Sequence, residues 1–332
     1  MSMLVLKSQE FRKERESGWR ELEELISIVQ TIGIRSLGNA DLERLPLLYR
    51  AALSSLSVAR SIVLDRALVA YLDNLALRAF LVIYSRPMSI AESLREFFAR
   101  SLPRAVRSIR WQVAIALFAL ALGIASGFAL VNHDEGWFSV MVPAGLAQGR
   151  GPSSTREELL RVLAAQPQAS AALATMANYL FSNNTMVSLL IFGLGLAAGV
   201  PTLLLTFANG LVLGAFMALH LHRGLLGQFT GWVSIHGVTE LGAIVLFAAA
   251  GLKLGELVLF PGRYTRADAL QLYGPTTGEV AVGGVLMLLV AAVLEGVFRQ
   301  LIADTNVRLS VALASLLLWT VYYALTGRRE TA

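Results

Sequence analysis

The sequence predicts an all-α fold: a polytopic membrane bundle of about six spans, preceded by a cytoplasmic amphipathic helical region. Three observations carry this. Hydrophobic residues make up 55% of the 332 and charged residues only 15%, giving a mean hydropathy of +0.61. Several apolar runs reach the roughly 20 residues that a helix needs to cross the hydrocarbon core. Charge is the third: up to Arg110 the chain holds 17 basic and 12 acidic residues, and beyond it 11 of each. The whole net charge of +5 therefore precedes the first span, as a cytoplasmic flank does under the positive-inside rule. A basic excess also attends nucleic-acid binding, but here no basic residues interleave with stacking aromatics, and no nucleic-acid partner is expected. Cysteine is absent, which excludes disulfides and thiolate metal sites.

Two domains follow: a helical region at 1–110, and a transmembrane bundle at 111–332 with an extracytoplasmic helical loop at 132–185. The N-terminus lacks the long apolar core of a secretory signal, so insertion is expected to rely on the first span. Residues 9–31 read as an amphipathic helix, with Phe11, Trp19, Leu22, Leu25, Ile26 and Val29 on one side. After a break at 33–39, one long helical pattern runs over 40–84, with Pro46 tolerated near its start and Arg86-Pro87 ending it. A shorter helix covers 89–100. Arg104, Arg107 and Arg110 then flank the first span, a topogenic arrangement that also suits anionic lipid.

The first span, 111–131, contains Gly123 and Gly127 in a small-xxx-small pattern. In the loop, Thr155 and Glu158 form a capping-box match that opens a helix, and a second helix over 169–181 leads to Asn183-Asn184. The apolar run 186–221 would measure about 54 Å as one helix, too long for a core of about 30 Å. Asn209-Gly210 offers a turn, so two spans are expected, 186–205 and 208–222. The remaining spans are 232–252, 280–301 and 308–326, with a turn-rich linker at 253–279. Six spans put 253–279 and the Arg328-Arg329 tail on the cytoplasmic side with the N-terminus; five would put both outside.

The bundle is organised around WVSIHGVTELGAIVLFAAAG, residues 232–251, where His236 and Glu240 share a helical face inside the bilayer. Intramembrane ionisable groups persist only where something compensates them. The six-span arrangement brings Glu295, Asn183 and Asn184 to the same outer depth, with Asn209 on the broken segment. The first reading is a structural polar cluster pinning the bundle; a ligand or transport site comes second, and a metal or catalytic site third. One His with one or two carboxylates suits a divalent ion, but no H-E-x-x-H motif is present. No metal, cofactor or catalytic residue is expected. His220 and His222 point to different sides of their helix and read as interfacial, and His133 as exposed. No phosphate-binding loop and no G-x-S-x-G elbow occurs, and the repeated glycines read as packing faces.

At this point the residues resemble a family. LYRAALSSLSVAR and YLDNLALRAFLVIY in the N-terminal region, LPRAVR before the first span, Asn183-Asn184, TFANGLVLGA, IHGVTELGAI and LEGVF follow the order seen in the stage II sporulation protein M family of multi-pass bacterial membrane proteins. The resemblance implies a membrane scaffold: the founding member is similar to one that recruits peptidoglycan-degrading enzymes in spore formers. Relatives in bacteria that do not sporulate are often encoded near MoxR-type ATPases and RDD-type membrane proteins, which the resemblance brings in as partners. The expected function is thus a non-enzymatic scaffold of the bacterial cytoplasmic (inner) membrane, N-terminus inside, that organises cell-envelope proteins. The alternative is a transporter or channel for an ion or small amphiphile through the His/Glu/Asn site. The small-xxx-small faces also leave a homodimer open.

Overall fold

A computed structural model of the chain describes residues 2–61, 66–84, 89–164, 170–298 and 301–328, leaving aside the side chains of 2–10, Arg35, 170–180, Asn183 and Val297. The described residues form helices, turns and loops, and the chain divides into two compact units, Met1–Ile90 and Ala91–Ala332. Residues 91–110, expected with the N-terminal region, pack within the second unit.

The first unit holds α1 (Ser2–Ile32), α2 (Asn39–Ser61) and α3 (Arg66–Tyr84). The single helix expected over 40–84 is instead a hairpin. Arg60 and Asp73 form an ion pair at 2.6 Å, and the rings of Tyr49 and Tyr84 lie 6.1 Å apart. One straight helix would hold Arg60 and Asp73 about 20 Å apart. Helix α1 runs antiparallel to α2, through Glu21–Arg44, and parallel to α3, through Glu23 with Tyr71 and Arg78. The apolar side read from the sequence is the buried one: Trp19, Leu22 and Ile26 meet Leu45, Ala52, Leu72 and Leu75. Arg86-Pro87 lies outside the described residues.

The second unit opens with α4 (Ile90–Glu96), a π turn at Phe97–Ser101 and α5 (Leu102–Ser108). Helix α6 (Arg110–His133) follows, then the short α7 (Gly136–Met141), α8 (Ala144–Ala147) and α9 (Arg156–Leu163). Helices α10 (Ser170–Gly193), α11 (Val200–His222), α12 (Leu226–Leu259), α13 (Arg266–Val293) and α14 (Thr305–Leu325) complete it. The capping box of α9 is present: Thr155 accepts from Glu158 N while Glu158 accepts from Thr155 N.

Six described helices are long and apolar enough to cross a membrane: α3, α6, α11, α12, α13 and α14. Helix α3 qualifies by composition, yet its buried face is spent on α1 and α2, and Asp73 and Arg78 are ion-paired. In the second unit α10 packs beside the other five; its 24 residues measure about 36 Å, and its apolar stretch is the shorter Asn184–Leu196.

Three boundaries differ from expectation. The chain turns at Ala198 and Gly199, both at positive φ, with Pro201 starting α11, and Asn209-Gly210 lies inside that helix. Gly210 is there for close approach: a Cβ on it would strike Leu120 O of α6, and one on Gly214 would strike Ile124 O. The facing Gly123 and Gly127 are equally closed by Phe207 O and Leu211 O. Two small-xxx-small motifs thus dock on each other, and the paired positions increase together, so α6 and α11 run parallel. Second, Asn183-Asn184 lies inside α10 rather than between a loop helix and a new span at 186. Third, the linker 253–279 is mostly helical: α12 runs to Leu259, α13 begins at Arg266 behind a Thr265 cap, and Gly274-Pro275 sits within α13.

Packing fixes which helix ends lie together. At one end Arg107 donates to Tyr323 O and Thr326 O, filling the orphan carbonyls of α14. Gln112 meets Glu256 there, and Lys253 pairs with Glu256 at 2.7 Å. At the opposite end Arg223 holds both oxygens of Glu135 and the carbonyls of Pro152 and Ser154. His222 adds Glu135 and Asn132, so α7 to α9 are tied to the end of α11. Helices α6 and α11 therefore run in one direction and α12 and α14 in the other.

Candidate functional site

Helix α12 begins at Leu226 rather than near Trp232, which sinks the polar residues deeper than expected. His236 lies ten residues into the helix, about 15 Å, and Glu240 one turn further. Both stay on one face, as their spacing dictates. The third group comes from another element: Glu295 sits in a π turn, Leu294–Phe298, that follows α13. Such turns alter the register of a helix locally and recur at functional sites. One ligand-type atom each from His236, Glu240 and Glu295 lies within 4.8 Å of the others. His236 Nε2 and Glu295 Oε1 are 3.6 Å apart, and both side chains are less than a tenth exposed.

Two cavities meet at this cluster. The larger, about 1050 Å³, runs between α6, α7, α10, α11 and α12; Ser126, Trp137, Asn184, Asn209 and Glu240 are among its lining. The smaller, about 280 Å³, is lined by His236 and Glu240 with Asn209, Phe216, Phe229 and Trp232. Glu240 and Asn209 thus stand in the wall of both. Asn209 also donates to Leu205 O one turn back, which fixes its amide.

Of the sequence candidates, His236, Glu240 and Glu295 converge, and Asn184 and Asn209 reach the cluster through the larger cavity. The side chain of Asn183 lies outside the described residues. His220 and His222 do point to different sides, but His220 is buried: it bonds Phe216 O at 2.7 Å and stacks on Phe229 at 4.1 Å.

Sequence reading missed the aromatic ladder. Phe138, Phe216, Phe229, Trp232 and His236 follow one another at ring separations of 5.2, 6.3, 6.3 and 6.3 Å. The guanidinium of Arg150 caps it over Phe216 at 4.6 Å. The 229/232/236 spacing on one helical face was the available signal. Also unforeseen were Thr239, which accepts from Trp319 Nε1, and Arg308, which is buried and donates to Ile302 O.

On α10, which packs against both α12 and the Glu295 turn, Ser188 is fully buried. Its hydroxyl and that of Thr185 have no hydrogen-bond partner among the described residues. The cluster brings two carboxylates and an imidazole together, with Asn184 and Asn209 in the wall of the adjoining cavity.

Comparison with known proteins bears on the chain as a whole. No curated protein and no solved structure matches it. A model for a domain of unknown function (DUF8413) matches residues 9–85, nearly the extent of the three-helix unit. The model for stage II sporulation protein M matches residues 114–298, from the first span through the turn that carries Glu295. The chain belongs to the stage II sporulation protein M family of membrane proteins.

Proposed function

We propose that the membrane unit takes a small ion or amphiphile into the His236–Glu240–Glu295 site and moves it across the bacterial cytoplasmic membrane, with no chemical step. One observation carries this reading: Glu240, an intramembrane carboxylate, stands in the wall of two cavities and beside two further ionisable groups. A cluster serving only to pin helices has no need of adjoining space. The end bearing Arg104, Arg107, Lys253 and Arg266 is taken as cytoplasmic on the positive-inside rule.

Liposome flux tests it. Vesicles carrying the wild-type chain are expected to pass at least one of a monovalent cation, a divalent cation or a cationic amphiphile faster than empty vesicles. Glu240→Gln is expected to cut that flux at least tenfold. Wild-type vesicles as tight as empty ones toward all three would refute transport.

The scaffold reading keeps a specific support in the first unit. Leu77, Phe80, Leu81 and Tyr84 form an exposed apolar stripe on α3, spaced as one helical face. Surfaces of this kind serve partner proteins, for which a MoxR-type ATPase or an RDD-type membrane protein is the candidate by resemblance. Pull-down from detergent extract with and without residues 1–90 tests it: a partner lost on truncation supports the scaffold, and no stable partner in either case removes it.

A further inference from the structure

Two carboxylates and an imidazole meet where lipid surrounds the bundle, and their charge has to be balanced. With both carboxylates ionised and the imidazole neutral, the cluster carries two negative charges. An uncompensated ion in a low-dielectric interior is strongly unfavourable. A divalent cation held by all three groups would offset that charge.

Geometry favours the cation. A hydrogen bond between ionised and protonated partners spans about 2.5–2.9 Å, whereas His236 Nε2 and Glu295 Oε1 are 3.6 Å apart. Zinc bonds of about 2.0–2.2 Å in a tetrahedron place neighbouring ligand atoms about 3.4 Å apart, close to the spacing found. The widest separation within the triad, no more than 4.8 Å, closes by a small rotation of a glutamate side chain. The donor set points the same way: one imidazole nitrogen with carboxylate oxygens suits zinc and its neighbours, while magnesium and calcium take oxygen alone.

A second, independent observation is the space around the cluster. His236 and Glu240 line the smaller cavity, and Glu240 the larger as well. Three protein ligands with an open fourth position form an exchangeable site rather than a closed structural one.

We propose that His236 Nε2 and one oxygen each from Glu240 and Glu295 bind a single divalent transition-metal ion of the zinc class inside the membrane bundle, with the fourth position open to the cavities. This names the ion of the site proposed above and rests on that site being a binding site. The divalent charge balances both carboxylates without protons, and the open position lets the ion arrive and leave.

The test uses the untagged full chain in detergent, stripped with a chelator and loaded separately with zinc and magnesium. After desalting, elemental analysis is expected to find about one zinc per chain and no retained magnesium. Cobalt loading is expected to give the visible absorption of a four-coordinate site, a readout that needs no variant. His236→Asn and Glu295→Gln, checked for monodispersity, are expected to lower zinc retention at least tenfold, and Glu135→Gln, away from the cluster, to leave it unchanged. Should either cluster variant fail to fold, Glu240→Gln replaces it. A wild-type chain that retains no zinc overturns the proposal, and so does equal retention in the cluster variants. The two readings fail separately: zinc bound without flux removes transport and keeps the metal, while flux of another species by a zinc-free chain removes the metal and keeps transport.

Discussion

Glu240 is a carboxylate about two-fifths of the way along a 34-residue helix, half-buried in the wall of two cavities, so its neighbours decide what it does. Replacing a buried ionic cluster by apolar residues of similar volume is often neutral, or stabilising by about 1–4 kcal/mol. The triple variant His236→Leu, Glu240→Leu, Glu295→Leu is therefore expected to unfold in detergent at or above the temperature of the metal-free wild type. A fall of many degrees would make the cluster a structural pin instead. Zinc is expected to raise the wild-type midpoint, by about 2.7 kcal/mol of added stability at one hundred times its dissociation constant, and to leave the triple variant unmoved. Glu135 behaves differently, because it sits at the helix ends in contact with water. The Arg223 guanidinium, helped by His222, holds its carboxyl below the usual glutamate value of 4.5. A depressed carboxylate contributes stability that is present above the unfolded value and lost as pH falls through the folded one. Thermal stability is thus expected to drop on acidification below about pH 4.5, and Glu135→Gln to flatten that dependence. His236 and Glu240 were legible because charge in an apolar run is conspicuous. The ladder of Phe216, Phe229 and Trp232 was not, since aromatics in apolar helices are the ordinary filling of a bundle.

At the level of elements, the parallel pair α6 and α11 shows what helical periodicity conveys and what it omits. Apolar runs and caps marked the helices, and the Thr155–Glu158 box was readable to the residue. Asn209-Gly210 was misread as a turn because the pair suits left-handed backbone, whereas here Gly210 serves contact with Leu120 and Gly123. Which of several small-residue faces docks on which is a tertiary fact. The true break needed Ala198 at positive φ, a position no propensity assigns to alanine. Gly127→Leu and Gly214→Val each drive a side chain into a backbone carbonyl of the facing helix. Each is expected to cost about 1–3 kcal/mol or more, read as a lower unfolding temperature and a broader size-exclusion peak. Gly145→Ala, with open space around it, is the neutral control.

For the whole molecule, two units of different character share one chain. The first has its own core in Leu22, Ile26, Leu45, Leu72 and Leu75, all nearly or fully buried. A fragment of residues 1–90 is expected to be helical and to unfold cooperatively, and Leu72→Ala to remove about 2–5 kcal/mol from it. A fragment without a cooperative transition would deny the unit independence. The absence of cysteine makes membrane topology directly readable: a membrane-impermeant thiol reagent is expected to label Glu157→Cys only from the periplasmic side and Arg263→Cys only from the cytoplasmic side. The same chemistry reaches the centre of the account, which holds that the cluster within the bundle is open to a ligand arriving from water. Asn209 lines both cavities beside Glu240, so the measurement is the labelling of Asn209→Cys in sealed vesicles of known orientation. The account predicts labelling from at least one side, slowed by zinc when His236, Glu240 and Glu295 are intact. Complete resistance at Asn209→Cys, with Glu157→Cys in the same vesicles fully labelled, would contradict it.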